Sequence, residues 1–183
     1  MYKYFFKDLI DFYCAIILLI FFIPLILIVY LMLYVLIGSP IYKQKRPGYL
    51  NKPFIIFKFK TLIDKDCRSY NPHKKTFKFG TFLRKTGIDE IPQLLNILKG
   101  EMSFIGPRPL LMQYLKLKQF INHPRSKCIP GITGLAQVQG RLDLSLQERL
   151  YWDLEYIENK TLTKDLEIIF KTISSVLKKK GAN

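Results

Sequence analysis

The sequence has 183 residues, which is enough for one modest domain and an accessory segment. Its formal net charge is +15, and residues 43–127 alone hold 19 basic and 5 acidic side chains. A surplus of this sign attracts anions such as nucleic acid, anionic lipid head groups or the phosphates of a nucleotide or lipid. Three cysteines without metal-ligand spacing argue against a disulfide framework or a zinc site. No Walker, GxGxxG or HExxH motif is present.

The first predicted element is an uncharged apolar segment, Phe12–Ile37. Its 26 residues would form a helix of about 39 Å, against a hydrocarbon core of about 30 Å. Nineteen of them are Leu, Ile, Phe or Val, and these favour insertion by roughly 6–11 kcal/mol in total. Because no small-residue cleavage site follows, we expect residues 1–38 to stay in the membrane and residues 39–183 to form the head.

Two membrane arrangements are compatible with this segment. A single crossing is the default for an apolar run of this length. Pro24, however, lies near the middle, where a proline removes a helical hydrogen bond. Basic residues flank both ends, and the positive-inside tendency places both flanks on the cytosolic side. Each arm would then be about 18–20 Å long, enough to enter one leaflet and return.

The start of the head predicts a short β-hairpin. Ile41–Lys45 and Phe54–Thr61 are rich in β-prone residues, and the sequence RPGYLNKP between them has turn chemistry. Further along, Phe104–Pro109 predicts a rigid turn that presents Arg108, and Ile129–Arg141 predicts a glycine-containing loop. The hairpin is therefore the β-structure that the sequence predicts in the head.

Two helices are predicted near the end of the chain. Ser145 and Glu148 have the spacing of a capping box ahead of an apolar-periodic stretch. Thr163 is the predicted cap of the second helix. Both helices are amphipathic, so they either lie at a membrane surface or bury their apolar stripes in the head. The sequence favours neither arrangement.

The segment Thr86–Met102 has the most informative pattern. Its apolar residues recur at i, i+3, i+4 and i+7, which predicts one helical face: Ile91, Leu94, Leu95 and Leu98. Pro92 is tolerated only in a first turn, so the helix should begin close to Asp89 and Glu90, and Gly100 is a natural stop. Two adjacent carboxylates are thus predicted at the positive end of a helix.

Acidic residues in a first helical turn usually only complement the helix dipole. Here the neighbouring residues suggest more, because Arg84 comes just before Asp89 and Glu90, and Arg108 follows on its proline-braced turn. Carboxylates that bind Mg²⁺ and guanidinium groups that neutralise phosphate oxygens together suit a metal-bound diphosphate. One of the two carboxylates could also attack phosphorus.

At these residues the chain resembles the small monotopic phosphoglycosyl transferases of the bacterial sugar transferase family. The resemblance runs from the apolar segment nearly to the C terminus. Its motifs are Arg46-Pro47-Gly48, Phe57-Lys58-Phe59-Lys60-Thr61, Arg84, Asp89-Glu90-Ile91-Pro92-Gln93-Leu94, Asn96, Lys99-Gly100, Met102-Ser103, Gly106-Pro107-Arg108-Pro109, Pro130-Gly131-Ile132-Thr133-Gly134, Ala136-Gln137-Val138, Gly140-Arg141, and Asp153 with Tyr156.

The resemblance implies a mostly helical α+β fold with a re-entrant membrane helix that breaks near Pro24. A small basic cytosolic head would carry the short β-hairpin and interfacial amphipathic helices. The implied reaction is transfer of a phospho-sugar from a UDP-sugar to polyprenyl (undecaprenyl) phosphate with release of UMP, the first membrane step of glycoconjugate assembly. Asp89 would be the nucleophile that forms an aspartyl phospho-sugar, and Glu90 would help to place Mg²⁺, so that both are candidate metal ligands.

The same resemblance implies further site residues and a location. Candidate phosphate-binding residues are Arg84, Arg108, Arg141, Lys58 and Lys60. The implied partners are the UDP-sugar, polyprenyl phosphate and membrane lipids, without nucleic acid. The protein would be monotopic, on the cytoplasmic face of the bacterial inner membrane. By similarity to the short members of the family, we expect an acetamido sugar.

A second function from a different class is compatible with the charge distribution. A non-enzymatic, membrane-anchored protein could use its basic head to bind nucleic acid or anionic lipid. Such binding would be strongly salt-dependent and would not need Asp89 or Glu90. The sequence of the head lacks the aromatic–basic interleaving of a base-stacking surface, which favours the transferase.

Overall fold

The computed structural model describes residues 4–63, 75–117, 120, 123–140 and 143–177. Its helices are α1 (Tyr4–Ile37), α2 (Lys78–Thr86), α3 (Leu94–Leu98), α4 (Leu135–Gln139), α5 (Leu146–Glu158) and α6 (Leu162–Leu177). Its strands are β1 (Ile41–Pro47), β2 (Pro53–Phe59), β3 (Leu62–Ile63), β4 (Lys75–Thr76), β5 (Ser103–Ile105) and β6 (Gly131–Thr133). The mostly helical α+β class is confirmed.

The apolar segment forms one helix rather than two. Helical structure runs without interruption from Tyr4 to Ile37, with Pro24 inside it. A proline removes one hydrogen bond but need not end a helix whose neighbours are strong helix formers held by tertiary contacts. The predicted helix–break–helix is therefore not confirmed. By length and composition, Phe6–Ile37 could cross a membrane.

One face of α1 packs along the head over most of the helix. In its first half Ala15 is buried in a cluster with residues of β2 and α3. In its second half Val29 and Leu33 are buried with Phe59 and Leu83. The opposite face exposes large apolar side chains such as Val35, at 82%. The head thus covers α1 lengthwise and leaves an apolar face outside.

A buried polar network holds the first turns of α1. The Lys7 ammonium lies 2.9 Å from Asp165 and 3.6 Å from Asp11. The Ser103 hydroxyl donates to Asp11 at 2.5 Å, and the Tyr156 hydroxyl donates to Asp165 at 2.8 Å. Lys7 therefore forms ion pairs inside the protein. Its charge is accordingly weaker evidence for the side of the membrane on which the N terminus lies.

The predicted hairpin is confirmed with slightly different bounds. β1 and β2 pair antiparallel, with Ile41 opposite Phe59 and Pro47 opposite Pro53. A second pairing was missed: β5 and β6 are parallel and lie where the sequence indicated only a turn and a loop. A Cβ on residue 131 would lie 2.1 Å from the backbone nitrogen of Gly106. The two segments can therefore approach this closely only because residue 131 is a glycine.

The two C-terminal helices differ in what they bury. α5 begins with the predicted capping box of Ser145 and Glu148, and it buries apolar residues in the head. α6 begins at Leu162, where Thr161 accepts the capping hydrogen bond from the Lys164 amide, so the predicted cap at Thr163 is wrong. α6 also leaves several apolar residues exposed: Leu162, Leu166, Ile169, Phe170 and Ile173.

Candidate active site

The predicted helix start around Asp89 and Glu90 is confirmed, although its first turn is a 3₁₀ turn. Ile88–Gln93 forms this turn, Pro92 lies within it, and α3 follows directly. Gly87 joins α2 to the turn with φ 74°, a left-handed conformation that glycine adopts without strain. Both carboxylates therefore lie in the first turn of a short helical segment.

The buried face of this segment differs from the apolar helical face that the sequence predicts. Leu95 is 42% exposed, whereas Asn96 is fully buried. The Asn96 amide nitrogen donates to the carbonyl of Ile55 at 2.7 Å, and its oxygen accepts from the amide of Phe57 at 3.1 Å. Asn96 thus fixes the segment against β2, and Lys58 of that strand reaches the carboxylates.

Glu90 is held by two cations. The Lys58 ammonium and the Arg108 guanidinium both donate to its Oε1, each at 2.5 Å. Burial alone would raise the pKa of Glu90, but Arg108 and Lys58 outweigh burial and lower it to about 2. Glu90 is therefore a fixed, ionised carboxylate, and Arg108 is oriented by it.

Asp89 is placed differently although it is the adjacent residue. Its carboxylate accepts no hydrogen bond from the described part of the chain. Burial and then the charge of Glu90 raise the pKa of Asp89 to about 6. The cations Lys58, Arg108 and Arg84 act in the opposite direction. A desolvated carboxylate without hydrogen-bond donors retains its nucleophilicity, so Asp89 is the group that can react.

The remaining predicted phosphate-binding residues do not all reach the site. Arg84, in the last turn of α2, is exposed and lines the same cleft as Asp89. Lys60 donates to the Ser39 hydroxyl at 3.2 Å and is not among the residues that line the cleft, so its phosphate-binding role stays a prediction. Arg141 lies outside the described residues, and its role stays a prediction.

The carboxylates lie in a cleft of about 850 Å³ between α1 and the head. One side is charged and includes the two carboxylates with Lys58, Arg84 and Arg108. Lys85, Arg149 and Asp153 are also among the charged lining residues. The other side is largely apolar and includes residues of the two flanking helices: Leu18 and Phe22 of α1, and Ile173 and Val176 of α6. The cleft can therefore take a ligand with a polyanionic end and an apolar end.

Three charged residues near Arg108 have contacts that the sequence did not reveal. Arg125 lies 3.2 Å from the buried carboxylate of Asp153 and donates to the carbonyl of Arg108 at 2.6 Å. Burial raises the pKa of Asp153 to about 6 despite that arginine. Arg46 donates to the carbonyl of Pro109 at 3.2 Å. Arg46 and Asp153 lay in matched motifs, but Arg125 sits in a polar segment without any local signal.

The carboxylates of the cleft suit Mg²⁺ only when a bound diphosphate supplies further ligands. The described ranges contain no group of three or more His, Cys, Asp or Glu side chains that could enclose a metal ion. Asp89 and the free oxygen of Glu90 could supply two carboxylate ligands. Mg²⁺ commonly uses one or two carboxylates and takes its other ligands from phosphates and water. These residues therefore fit a Mg²⁺ that arrives with a diphosphate.

Comparisons with known proteins show to which family the sequence is similar. The family described as bacterial sugar transferase matches residues 2–179. The chain is 43% identical to the uncharacterized sugar transferase EpsL of Bacillus subtilis, over 79% of this chain and 74% of that protein. It is 34% identical to the undecaprenyl-phosphate galactose phosphotransferase of Salmonella typhimurium, over 97% of this chain.

A third relative is the UDP-glucose:undecaprenyl-phosphate glucose-1-phosphate transferase of Xanthomonas campestris pv. campestris, 35% identical over 79% of this chain. The chain spans 42% of the Salmonella protein and 33% of the Xanthomonas protein, both of which are much longer. The match extends over nearly the whole chain and includes the carboxylate pair and Arg108. The chain therefore belongs to the bacterial sugar transferase family.

Proposed function

We propose that this protein transfers a phospho-sugar from a UDP-sugar to polyprenyl phosphate and releases UMP. The observation that carries the proposal is the unequal pair of carboxylates in the cleft. Glu90 is fixed by Lys58 and Arg108, whereas Asp89 accepts no hydrogen bond from any residue that the structure describes. The names of the Salmonella and Xanthomonas relatives support a UDP-sugar donor and an undecaprenyl phosphate acceptor.

The reaction would proceed in two displacements. A carboxylate oxygen of Asp89 attacks the β-phosphorus of the UDP-sugar, the bond to the bridging oxygen breaks, and UMP leaves with that electron pair. An oxygen of polyprenyl phosphate then attacks the phosphorus of the aspartyl phospho-sugar. This second step gives polyprenyl diphosphate sugar and returns Asp89 as a carboxylate. Arg108 and Arg84 would stabilise the charge that develops on the phosphoryl oxygens.

Mg²⁺ would supply charge neutralisation on the diphosphate when bound. Asp89 and Glu90 are the residues that would hold it. Lys58 and Arg108 already compensate one oxygen of Glu90, so the protein contribution to the metal site would be small. We therefore expect Mg²⁺ to bind weakly without nucleotide and more tightly with it.

The lipid acceptor would approach from the apolar side of the cleft. Leu18 and Phe22 belong to the helix that is apolar enough to enter a membrane, and they line the same cleft as Asp89. The phosphate of a lipid seated along this wall could then reach the charged side. This arrangement explains why a soluble nucleotide and a membrane lipid could use one site.

We also propose that α1 and the head lie on one side of the bilayer, the cytoplasmic face. Contacts with the head extend from Lys7 to Leu33, a rise of about 39 Å along the helix. A helix that crosses a bilayer could not contact a water-facing head over such a length. The exposed apolar face of α1 would lie in lipid, which makes the protein monotopic. Labelling of N-terminal and head cysteines from opposite sides of sealed vesicles would contradict this topology.

The test of function uses purified full-length protein in a membrane mimetic. We expect release of UMP from at least one UDP-sugar of a panel that includes acetamido sugars. The release should need Mg²⁺, and turnover beyond one equivalent of UMP should also need polyprenyl phosphate. Asp89→Asn should abolish turnover, whereas Asp143→Asn, an exposed carboxylate outside the cleft, should not. Turnover by Asp89→Asn within tenfold of the unsubstituted protein, about 1.4 kcal/mol of barrier, would contradict the assignment.

A further inference from the structure

The turn Pro107–Pro109, which presents Arg108, has a hydrogen-bond donor for each of its three carbonyls. The amide of Gly131 donates to the Pro107 carbonyl at 3.1 Å. Arg125 donates to the Arg108 carbonyl at 2.6 Å, and Arg46 donates to the Pro109 carbonyl at 3.2 Å. Two of the three residues are prolines and have no N–H, so the turn is held mainly by donors from other segments.

The two arginines come from distant parts of the chain, and each has a further side-chain contact besides the turn. Arg46, in β1, also donates to the Gln44 side chain at 2.6 Å. Arg125 also pairs with Asp153 of α5 at 3.2 Å and lies 5.7 Å from the ring centre of Phe120. Neither arginine is among the residues that line the cleft. Their contacts are therefore with the turn and its supports.

The position of this turn determines where the Arg108 side chain lies. Its guanidinium donates to Glu90 at 2.5 Å and to the carbonyl of Ile132 at 3.0 Å. A shift of the turn backbone would move the guanidinium away from both acceptors. We propose that Arg46 and Arg125 form an arginine clamp on the turn and are positioning residues that hold Arg108 for the diphosphate.

The clamp requires arginine rather than a positive charge alone. Arg125 donates to the turn through one guanidinium nitrogen and forms an ion pair with Asp153 of α5 through the other. Arg46 donates to the turn through one nitrogen and to Gln44 of β1 through the other. A lysine ammonium at either place would keep the charge but could not span both acceptors with the same geometry. Substitution by lysine therefore tests the positioning of the turn while the positive charge of the side chain is kept.

The activity test is a double-mutant cycle and rests on the proposed transfer reaction. Arg46→Lys and Arg125→Lys are each made in the unsubstituted protein and in Arg108→Ala. Because small displacements of a positioned group cost roughly tenfold to a hundredfold, we expect kcat for UMP release to fall about tenfold with little change in KM. In Arg108→Ala the same substitutions should have almost no further effect.

Two exposed lysines from the segments that carry Arg46 and Arg125 serve as controls. Lys45→Gln and Lys127→Gln remove exposed charges from the same two segments, and both should retain full activity. Equal losses in both backgrounds would mean that the arginines do not act through Arg108, and this would overturn the proposal. Full activity of both lysine variants would do the same.

A second measurement needs no substrate. Amide hydrogen exchange of a peptide covering residues 104–111 should speed up in Arg46→Lys and Arg125→Lys, and the rest of the chain should exchange as before. Unchanged exchange in that peptide would overturn the clamp. Should no UDP-sugar support turnover by the unsubstituted protein, the proposed function fails, and the exchange measurement still decides on the clamp.

Discussion

The charged and apolar sides of the cleft are built in different ways. On the charged side, Glu90 and Arg108 are fixed by short polar contacts, and the turn behind Arg108 has a donor for every carbonyl. On the apolar side, Ile173 is half exposed, and its helix is held to the head by the buried Ile168 and by a hydrogen bond between Thr172 and Thr133. The charged side is preorganised for phosphoryl chemistry, whereas the apolar side is a surface that a flexible chain could cover.

Apart from loss of the nucleophile Asp89, the largest effect should come from the charged side, with Glu90→Gln. Neutralising this carboxylate leaves Lys58 and Arg108 without their shared anion, so the Arg108 guanidinium keeps, among the described residues, only the Ile132 carbonyl as a strong acceptor. We expect kcat/KM for UMP release to fall by roughly 10²–10³-fold, the usual cost of one preorganised group. Glu167→Gln, which breaks an exposed pair with Lys171 on α6, is the matched control. An equal loss in both variants would contradict the difference between the two sides.

A second comparison is between Lys58, in β2, and Lys60, which follows the end of that strand. Lys58→Met removes a contact to Glu90, and we expect activity to fall by roughly tenfold to a hundredfold because a partly buried ion pair is broken. The Lys60 ammonium donates a hydrogen bond to the Ser39 hydroxyl, and Lys60 does not line the cleft. Lys60→Met should therefore change activity by less than twofold. Steady-state UMP release measures both variants. A greater loss in Lys60→Met would show that the geometry is misassigned.

The two adjacent carboxylates should affect stability with opposite signs. The pKa of Asp89 is raised in the folded protein to about 6, so its ionised form opposes folding. Without Mg²⁺ or nucleotide, Asp89→Asn should therefore raise the free energy of unfolding at pH 7 by about 1–3 kcal/mol. The gain should be absent below about pH 4 and complete above about pH 6, since the folded state keeps its proton between these values.

Thermal or chemical unfolding across this pH range tests the prediction, with Glu90→Gln as the partner measurement. The pKa of Glu90 is lowered by Arg108 and Lys58, so its loss should destabilise the protein at pH 7. A lower free energy of unfolding for Asp89→Asn at pH 7 would contradict the prediction. It would mean that the ionised carboxylate has favourable contacts in the folded protein.

The smallest effect should come from the apolar side. Ile173→Ser removes an apolar contact worth about 1 kcal/mol, so we expect KM for polyprenyl phosphate to rise by roughly fivefold. UMP formed in a first turnover without lipid should be unchanged. Leu166→Ser alters an exposed residue of the same helix outside the cleft and is the control for membrane binding. An equal rise in both variants would argue against a lipid contact within the cleft.

The sequence predicted the parts of this molecule that depend on local pattern. The capping box at Ser145, the hairpin after α1 and the helical turn at Asp89 all follow from residue spacing. The carboxylates and Arg108 stood out because opposite charges and proline turns lay close together in the chain.

What the sequence missed depends on contacts between distant segments. The parallel pair of β5 and β6 consists of three-residue strands, and no periodicity marks such short strands. Gly106, which follows β5, and Gly131 of β6 permit their close approach. Arg125 reaches the turn at Arg108 across 17 positions of the chain. The unbroken helix through Pro24 also reflects tertiary support, because both halves pack on the head. Propensity does not encode these contacts.

The central claim is that Asp89 becomes covalently bound to the phospho-sugar, and intact-mass analysis tests it most directly. The protein is mixed with Mg²⁺ and an accepted UDP-sugar in the absence of polyprenyl phosphate and is then quenched in acid. We predict a mass increase equal to one phospho-sugar, located on the peptide that contains Asp89, and an equal amount of UMP. Adding polyprenyl phosphate should remove the adduct. A protein that forms no adduct and releases UMP only when the lipid is present would contradict the account.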